Sequence, residues 1–338
     1  MDERRDPNWD FGTNPCSEII LRNREFCNLS EIIIREDDTF ETLAEKVRRA
    51  TILGTWQSSL TNFKYISKEW KKNCEEERLL GVSMTGIMDN KIMNGSSSPK
   101  GMKGWEGYST LEEILQALKK IAVSTNKEWA KILKINPAAA ITCVKPSGTV
   151  SQLVDSASGI HSRHAEFFIR TVRADNKDSL CQFMKDAGFP WEPEVNKPEH
   201  TSVFSFPFKS PKSSVFRMDK TAVEQLELWL KYQDNWCEHK PSITVYLQEY
   251  EWPEVGAWVW NHFDKISGIS FLPMMDHVYR QAPYQDCSKE EYEKFLNERM
   301  PKNINWEDLS NYEKQDMTMG SQTYACSADG ACEIPDLI

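Results

Sequence analysis

Asn14-Pro15-Cys16-Ser17-Glu18 is the stretch on which the reading of this chain turns. Proline disfavours the helical region for the residue before it, so Asn14 is biased towards extended backbone. If the segment stays extended, side chains at 14, 16 and 18 share one face, because strand side chains alternate. That face would carry an amide, a thiol and a carboxylate. An amide orients a ligand, a thiol serves as nucleophile or radical carrier, and a carboxylate takes a proton. The alternative is an Asn-Pro turn followed by a buried cysteine, and these five residues alone leave both readings open.

The residues that follow narrow the choice. Ile19-Ile20-Leu21 reads as a short buried strand, Arg22-Asn23-Arg24-Glu25 as a polar reversal, and residues 26–34 as a second strand. The reversal predicts that Cys27 returns towards Cys16. A loop with Asn, Cys and Glu at alternate positions, followed by Cys27-Asn28-Leu29-Ser30-Glu31 on a strand, resembles the active site of the ribonucleotide reductases. The wording is most similar to the adenosylcobalamin-dependent class II enzymes of the monomeric ribonucleoside-triphosphate reductase type.

The resemblance runs through nearly the whole chain and carries definite implications. It implies an α/β fold, a ten-stranded barrel with a central finger loop, here spanning residues 13–20. It implies adenosylcobalamin as cofactor and reduction of ribonucleotides, as triphosphates or diphosphates, to deoxyribonucleotides for DNA synthesis. In these terms Cys16 carries a thiyl radical, Glu18 is the general base, Asn14 orients the substrate, and Cys27 is one member of the reducing dithiol. A Pro-Ser-Gly-Thr loop binds substrate phosphates in the family, which assigns Ser147, Gly148, Thr149 and Val150. A paired-cysteine tail, here Cys326 and Cys332, re-reduces the site and is itself reduced by a thioredoxin-like partner.

In the family the finger loop lies in the middle of the chain, so these residues are expected to form the second half of the barrel, residues 1–310, followed by a flexible redox tail, 311–338. The other member of the dithiol would then belong to a separate N-terminal half, and activity in isolation is doubtful. A non-catalytic assembly subunit is one rival, against which the retained Cys16, Glu18, Cys27 and tail cysteines argue. A glycyl-radical enzyme is another, but it calls for a C-terminal glycine loop where this sequence has a cysteine pair.

Composition sets outer bounds. With 338 residues, 40% of them hydrophobic, the chain has the means to bury a sizeable core. A net charge of −10 lacks the basic footprint of a nucleic-acid binder. No apolar run approaches the roughly 18 residues of a membrane span, and the opening Met1-Asp2-Glu3-Arg4-Arg5-Asp6 does not resemble a signal peptide. Nine cysteines, an odd count without scaffold spacing, point to a reducing compartment, the cytoplasm by default.

Elsewhere the chain alternates helix and strand signals. A capping-box-like start at Asp38 and Glu41 precedes helical spacing at Phe40, Leu43, Val47 and Ala50. A second box at Thr110 and Glu113 opens a helix expected to run, with a break, towards Leu133. Residues 138–144 read as a buried strand that leads into Lys145-Pro146-Ser147-Gly148-Thr149, where small residues let backbone amides converge on an anion. His161 and His164, and likewise Cys237 and His239, have ligand chemistry, but each set lacks the further ligands a metal needs and reads as core. Helices are expected at 178–185, 221–232 and 288–300, and strands at 167–173, 203–207 and 269–273.

Overall fold

A computed structural model describes residue 5, residues 8–274 and residues 280–314. The chain opens with β1 (Phe11–Thr13), β2 (Ile20–Arg22), β3 (Asn28–Ile33), α1 (Phe40–Ser58), α2 (Lys68–Glu77) and β4 (Leu80–Thr85). It continues with α3 (Leu111–Leu133), a single turn α4 (Val150–Leu153), β5 (Phe167–Asp175), α5 (Ser179–Asp186), β6 (Trp191–Pro193) and β7 (Thr201–Lys209). It closes with α6 (Ala222–Asn235), β8 (Ser242–Leu247), α7 (Trp252–Asn261), β9 (Gly268–Pro273), β10 (Tyr284–Asp286) and α8 (Lys289–Glu298). Two compact units result, one from residues 1–163 and 211–274, the other from 164–210 and 275–338.

The first unit is built on parallel pairing. β3 lies parallel to β4 from Asn28 opposite Leu80 to Ile33 opposite Thr85. β4 bonds in turn to residues 140–144, with Leu80 N–H donating to Ala140 O at 3.0 Å and Cys143 N–H to Val82 O at 3.1 Å. Val144 bridges to Pro241 at the mouth of β8, and β8 runs parallel to β9 over six residue pairs. Neighbours in space are therefore neighbours in sequence. Helices α1 and α2, α3, α6 and α7 fill the connections, as parallel pairing requires a crossover. The run stays open, and the described residues contain no closed barrel.

Sequence explains why these segments pair in this way. All six residues of β4 are buried, which fits a strand covered on both faces. Leu43 and Val47 of α1 and Ile114, Leu115 and Leu118 of α3 are fully buried in the same core as Val82 and Met84. Helix α6 contributes Leu226, Trp229 and Tyr232, while its Val223 and Leu230 are only partly buried. Its aromatic polar tips are satisfied: Trp229 Nε1 donates to Pro241 O and the Tyr232 hydroxyl to Met93 O, each at 2.9 Å.

Several local expectations are corrected. The cap of α1 is Thr39, boxed with Thr42, because Asp38 is occupied by the Lys46 ammonium at 2.6 Å and the Thr42 hydroxyl at 2.7 Å. Helix α3 has no break: it runs 23 residues from the Thr110–Glu113 box to Lys134 in the left-handed conformation. The segment 14–18 is not extended throughout. Ser17 adopts φ +60° and its N–H donates to Asn14 O at 2.9 Å, which makes a turn. β2 pairs with β1, not with β3, so strand alternation and a β2–β3 hairpin are both wrong as routes to the site.

The second unit is an antiparallel sheet in the order β10, β5, β7, β6. β5 and β7 pair over nine positions, from Phe167 opposite Lys209 to Asp175 opposite Thr201. Cys181, Phe189 and Phe204 form its own small core. Among the described residues no helix is long and apolar enough to cross a membrane.

Candidate active site

The hairpin of β1 and β2 holds residues 14–19 at its tip, and single hydrogen bonds with His239 and Lys240 rather than a strand ladder fix it to the parallel run. Asn14 closes the tip from within, its Oδ1 accepting Ile19 N–H at 3.0 Å. Lys240 N–H donates to Glu18 O at 2.9 Å. Ile20 N–H donates to Nδ1 of His239 at 3.4 Å, while Nε2 of the same ring meets Leu80 O at 3.0 Å. Accepting at one nitrogen and donating at the other requires a neutral ring. Burial, reinforced by the Arg5 charge, pushes the His239 pKa down to about 3, which keeps it so.

A buried ion cluster supports the base of the hairpin. Arg5 grips Glu77 through Nε at 3.0 Å and Nη2 at 2.8 Å and also donates to Ile20 O at 2.9 Å. Glu25 accepts Arg22 N–H at 2.9 Å beside that pair. Burial pushes the Glu25 pKa up to about 8, the Arg22 amide opposes this, and the Glu77 carboxylate adds to the rise. A carboxyl that keeps its proton in the folded state loses stability as pH rises, because only the unfolded chain ionises between the two pKa values. Replacing Glu25 with Gln is therefore expected to leave stability little changed below about pH 4.5 and to raise it relative to the parent as pH climbs to about 8. The slope should approach about 1.4 kcal/mol per pH unit, read by urea denaturation at several pH values. A difference that stays constant with pH would refute it.

At the tip, Glu18 is fully buried and its Oε1 receives Nζ of Lys145 at 2.5 Å. Its Oε2 makes no hydrogen bond among the described residues, although it is shut away from solvent. Lys145 is itself fixed at its backbone, donating N–H to the Ser83 hydroxyl at 2.9 Å. Burial opposes its charge, but the hydrogen bond and charge of Glu18, with smaller contributions from Cys143 and Cys16, raise its pKa overall. Cys16 is half-buried and outside any disulfide. Cys27 packs with Ile19 around Gly81, where an added Cβ would lie 3.2 Å from Cys27 Sγ and from Ile19 Cδ1. Burial drives the Cys27 thiol far above its ordinary range, Lys145 pulls it down and Glu18 pushes it up. Asn14, Cys16, Glu18 and Cys27 thus come together, as the sequence indicated, around a lysine it did not single out.

The 147–150 loop follows directly from Lys145. Ser147 sits at φ +57° with its hydroxyl buried, whereas Gly148, Thr149 and Val150 are exposed. The backbone amides of these three donate to no group among the described residues. Glu31 of β3, directly opposite Ser83 in the register, also faces this region. Burial raises its pKa, against the nearby Ser147 hydroxyl and the Lys145 ammonium.

Behind the loop, Gly159 has φ +53°, and a Cβ there would stand 2.3 Å from Lys145 O. Gly159→Ala should cost about 1–3 kcal/mol from the left-handed conformation alone, with the backbone clash adding to it; unchanged stability in urea would contradict this. His161 lies half-buried beyond it, accepting Thr244 N–H at Nε2 at 2.9 Å, a structural role. Cys326 and Cys332 lie outside the described residues.

Sequence reasoning missed Lys145 and Glu31 as site groups. Lys145 is 127 residues from Glu18, and the pairing of β4 with residues 140–144, together with the tether of the tip at Lys240, brings them together.

No family model matches the chain. Three similar proteins, each named adenosylcobalamin-dependent ribonucleoside-triphosphate reductase, come from Lactobacillus gasseri, Lactobacillus acidophilus and Lactobacillus leichmannii. They are 29%, 27% and 27% identical over 84%, 83% and 84% of this chain. The chain spans 40% of the length of each. A crystal structure of a B-12 dependent (class II) ribonucleotide reductase superposes with a TM-score of 0.73 and 25% identity, covering 89% of this chain and 44% of that one. The class Id ribonucleotide reductase alpha subunit of Actinobacillus ureae shares the fold, with a TM-score of 0.51 and 12% identity over 78% of this chain and 53% of that one. Along five-sixths of its length in sequence and along still more in fold, the chain is similar to the adenosylcobalamin-dependent, class II ribonucleotide reductases.

Proposed function

We propose that this chain carries the substrate-reducing site of an adenosylcobalamin-dependent ribonucleoside-triphosphate reductase and works with a further polypeptide segment that completes a ten-stranded barrel. The observation that carries the reading is Glu18: a buried carboxylate with one oxygen on Lys145 and the other unbonded, two residues from a cysteine at a hairpin tip. A buried acceptor without a partner is costly, and a ligand hydroxyl would satisfy it. Cys16 fits the role of radical carrier, being half-buried at the tip and reduced. When bound, adenosylcobalamin supplies the one-electron oxidation that converts the Cys16 thiol to a thiyl radical.

In this scheme Cys16 removes the ribose 3′ hydrogen and Glu18 accepts the 3′ hydroxyl proton at Oε2. Asn14 holds the tip in shape and orients the substrate, and the 2′ hydroxyl takes a proton from the reducing dithiol and leaves as water. Cys27, its thiol kept protonated by burial, gives a hydrogen and becomes half of a disulfide whose other half lies in the completing segment. The exposed amides of Gly148, Thr149 and Val150, after Ser147, receive the substrate phosphates, since converging backbone N–H groups favour anions. Cys326 and Cys332 carry electrons in from a thioredoxin-like reductant. The open parallel run supports the half-barrel reading, because unpaired strand edges favour association.

The test is complementation. With adenosylcobalamin, a dithiol and a ribonucleoside triphosphate, the chain alone should form no deoxynucleotide, and adding a polypeptide with the first half-barrel should restore it. Turnover by the isolated chain would remove the completing segment from the scheme. Failure of the complemented pair would overturn the function.

A further inference from the structure

We propose that Lys145 is a positioning residue for Glu18: its ammonium holds Oε1, so that Oε2 is the oxygen turned to the substrate hydroxyl. This rests on Glu18 acting as the base. Three observations lead to it. First, the Lys145–Glu18 contact, 2.5 Å to a carboxylate with no solvent exposure, is a charge-assisted bond in a poorly hydrated site. Second, Lys145 is held from both ends, by Ser83 at its N–H and by Glu18 at its Nζ, so its side chain is a fixed strut. Third, Glu18 Oε2, buried at the same place, has no hydrogen-bond partner among the described residues and is able to accept.

The charge arrangement gives the strut its effect. Facing Lys145 are the carboxylates of Glu18 and Glu31 and the thiols of Cys16, Cys27 and Cys143. Among these groups Lys145 is the cation, so it is what lets Glu18 remain a carboxylate in a buried place. Without it, a buried carboxylate beside a second one would take a proton rather than stay charged. A protonated Glu18 has no basicity to offer. When the substrate hydroxyl transfers its proton to Oε2, the ammonium stays on Oε1 and keeps the acid in place, and no other group changes its proton count.

Infrared spectroscopy of the chain reads this directly. Lys145→Met should add, at neutral pH, a protonated-carboxyl band beyond that of Glu25, one that the parent and Lys145→Arg lack and that Lys145→Met/Glu18→Gln loses again. Circular dichroism establishes that each variant is folded, and Lys145→Arg keeps a cation if the Met variant does not fold. In the complete enzyme, Lys145→Met should lower kcat by about 10²-fold or more with KM within about threefold, and Lys145→Arg should recover most of it. No new band in a folded Met variant, or a band that survives Glu18→Gln, overturns the proposal. So does normal kcat in Lys145→Met when Glu18→Gln is inactive. An active Glu18→Gln enzyme would instead overturn the base reading beneath it.

Discussion

Cys16→Ala is expected to abolish deoxynucleotide formation in the complete enzyme and, with it, the paramagnetic signal of thiol-dependent cleavage of the cobalt–carbon bond. The reason is chemical. A methyl group cannot hold a radical that abstracts and returns a hydrogen atom, and no neighbouring thiol can stand in. Cys27 is packed between Ile19 and Gly81 with its proton held by burial, and Cys143 is fully buried. The change should leave the fold intact, since Cys16 is half-buried at a turn and the tip is closed by Asn14, Ile19, Lys240 and His239 instead. Thermal melting and binding of the triphosphate serve as controls. Turnover above a few per cent of the parent rate would sink the assignment of Cys16.

The second large effect concerns the tail. Cys326→Ser or Cys332→Ser should stop continuous turnover on a thioredoxin-type reductant while leaving roughly one deoxynucleotide per pre-reduced enzyme, because exchange through a tail dithiol renews the site but takes no part in the first reduction. The two effects separate cleanly: loss of Cys16 removes the first turnover, loss of a tail cysteine every later one. A small dithiol that reaches the site directly should restore cycling in the tail variants. Normal cycling of a tail variant on thioredoxin would show that electrons arrive by another route.

Much of this protein was determined by its sequence alone. The Asn14-Pro15-Cys16-Ser17-Glu18 loop and the strand after Cys27 carried the family, and they do so because the chemistry needs those side chains close together in the chain. Helices α1, α3 and α6 were legible from apolar spacing, and α3 also from its cap at Thr110, since capping and amphipathic burial are local properties. The 140–144 segment was legible as a buried strand from its run of small and β-branched residues without polar alternation.

Tertiary structure decided the rest. Strand alternation placed Asn14, Cys16 and Glu18 on one face, but Ser17 in the left-handed region turns the tip instead, and the groups meet because Lys240 and His239 tether it. The reversal before Cys27 suggested a hairpin, yet β3 joins β4 in parallel, a pairing reached through the crossover of α1 and α2 and covered by Leu43 and Val47 of α1. Lys145 looked like the flank of a phosphate loop. The parallel stacking of β4 against residues 140–144 and the tethered tip together set it beside Glu18, since a buried charge is satisfied by whatever partner the fold delivers, and sequence distance plays no part in that choice.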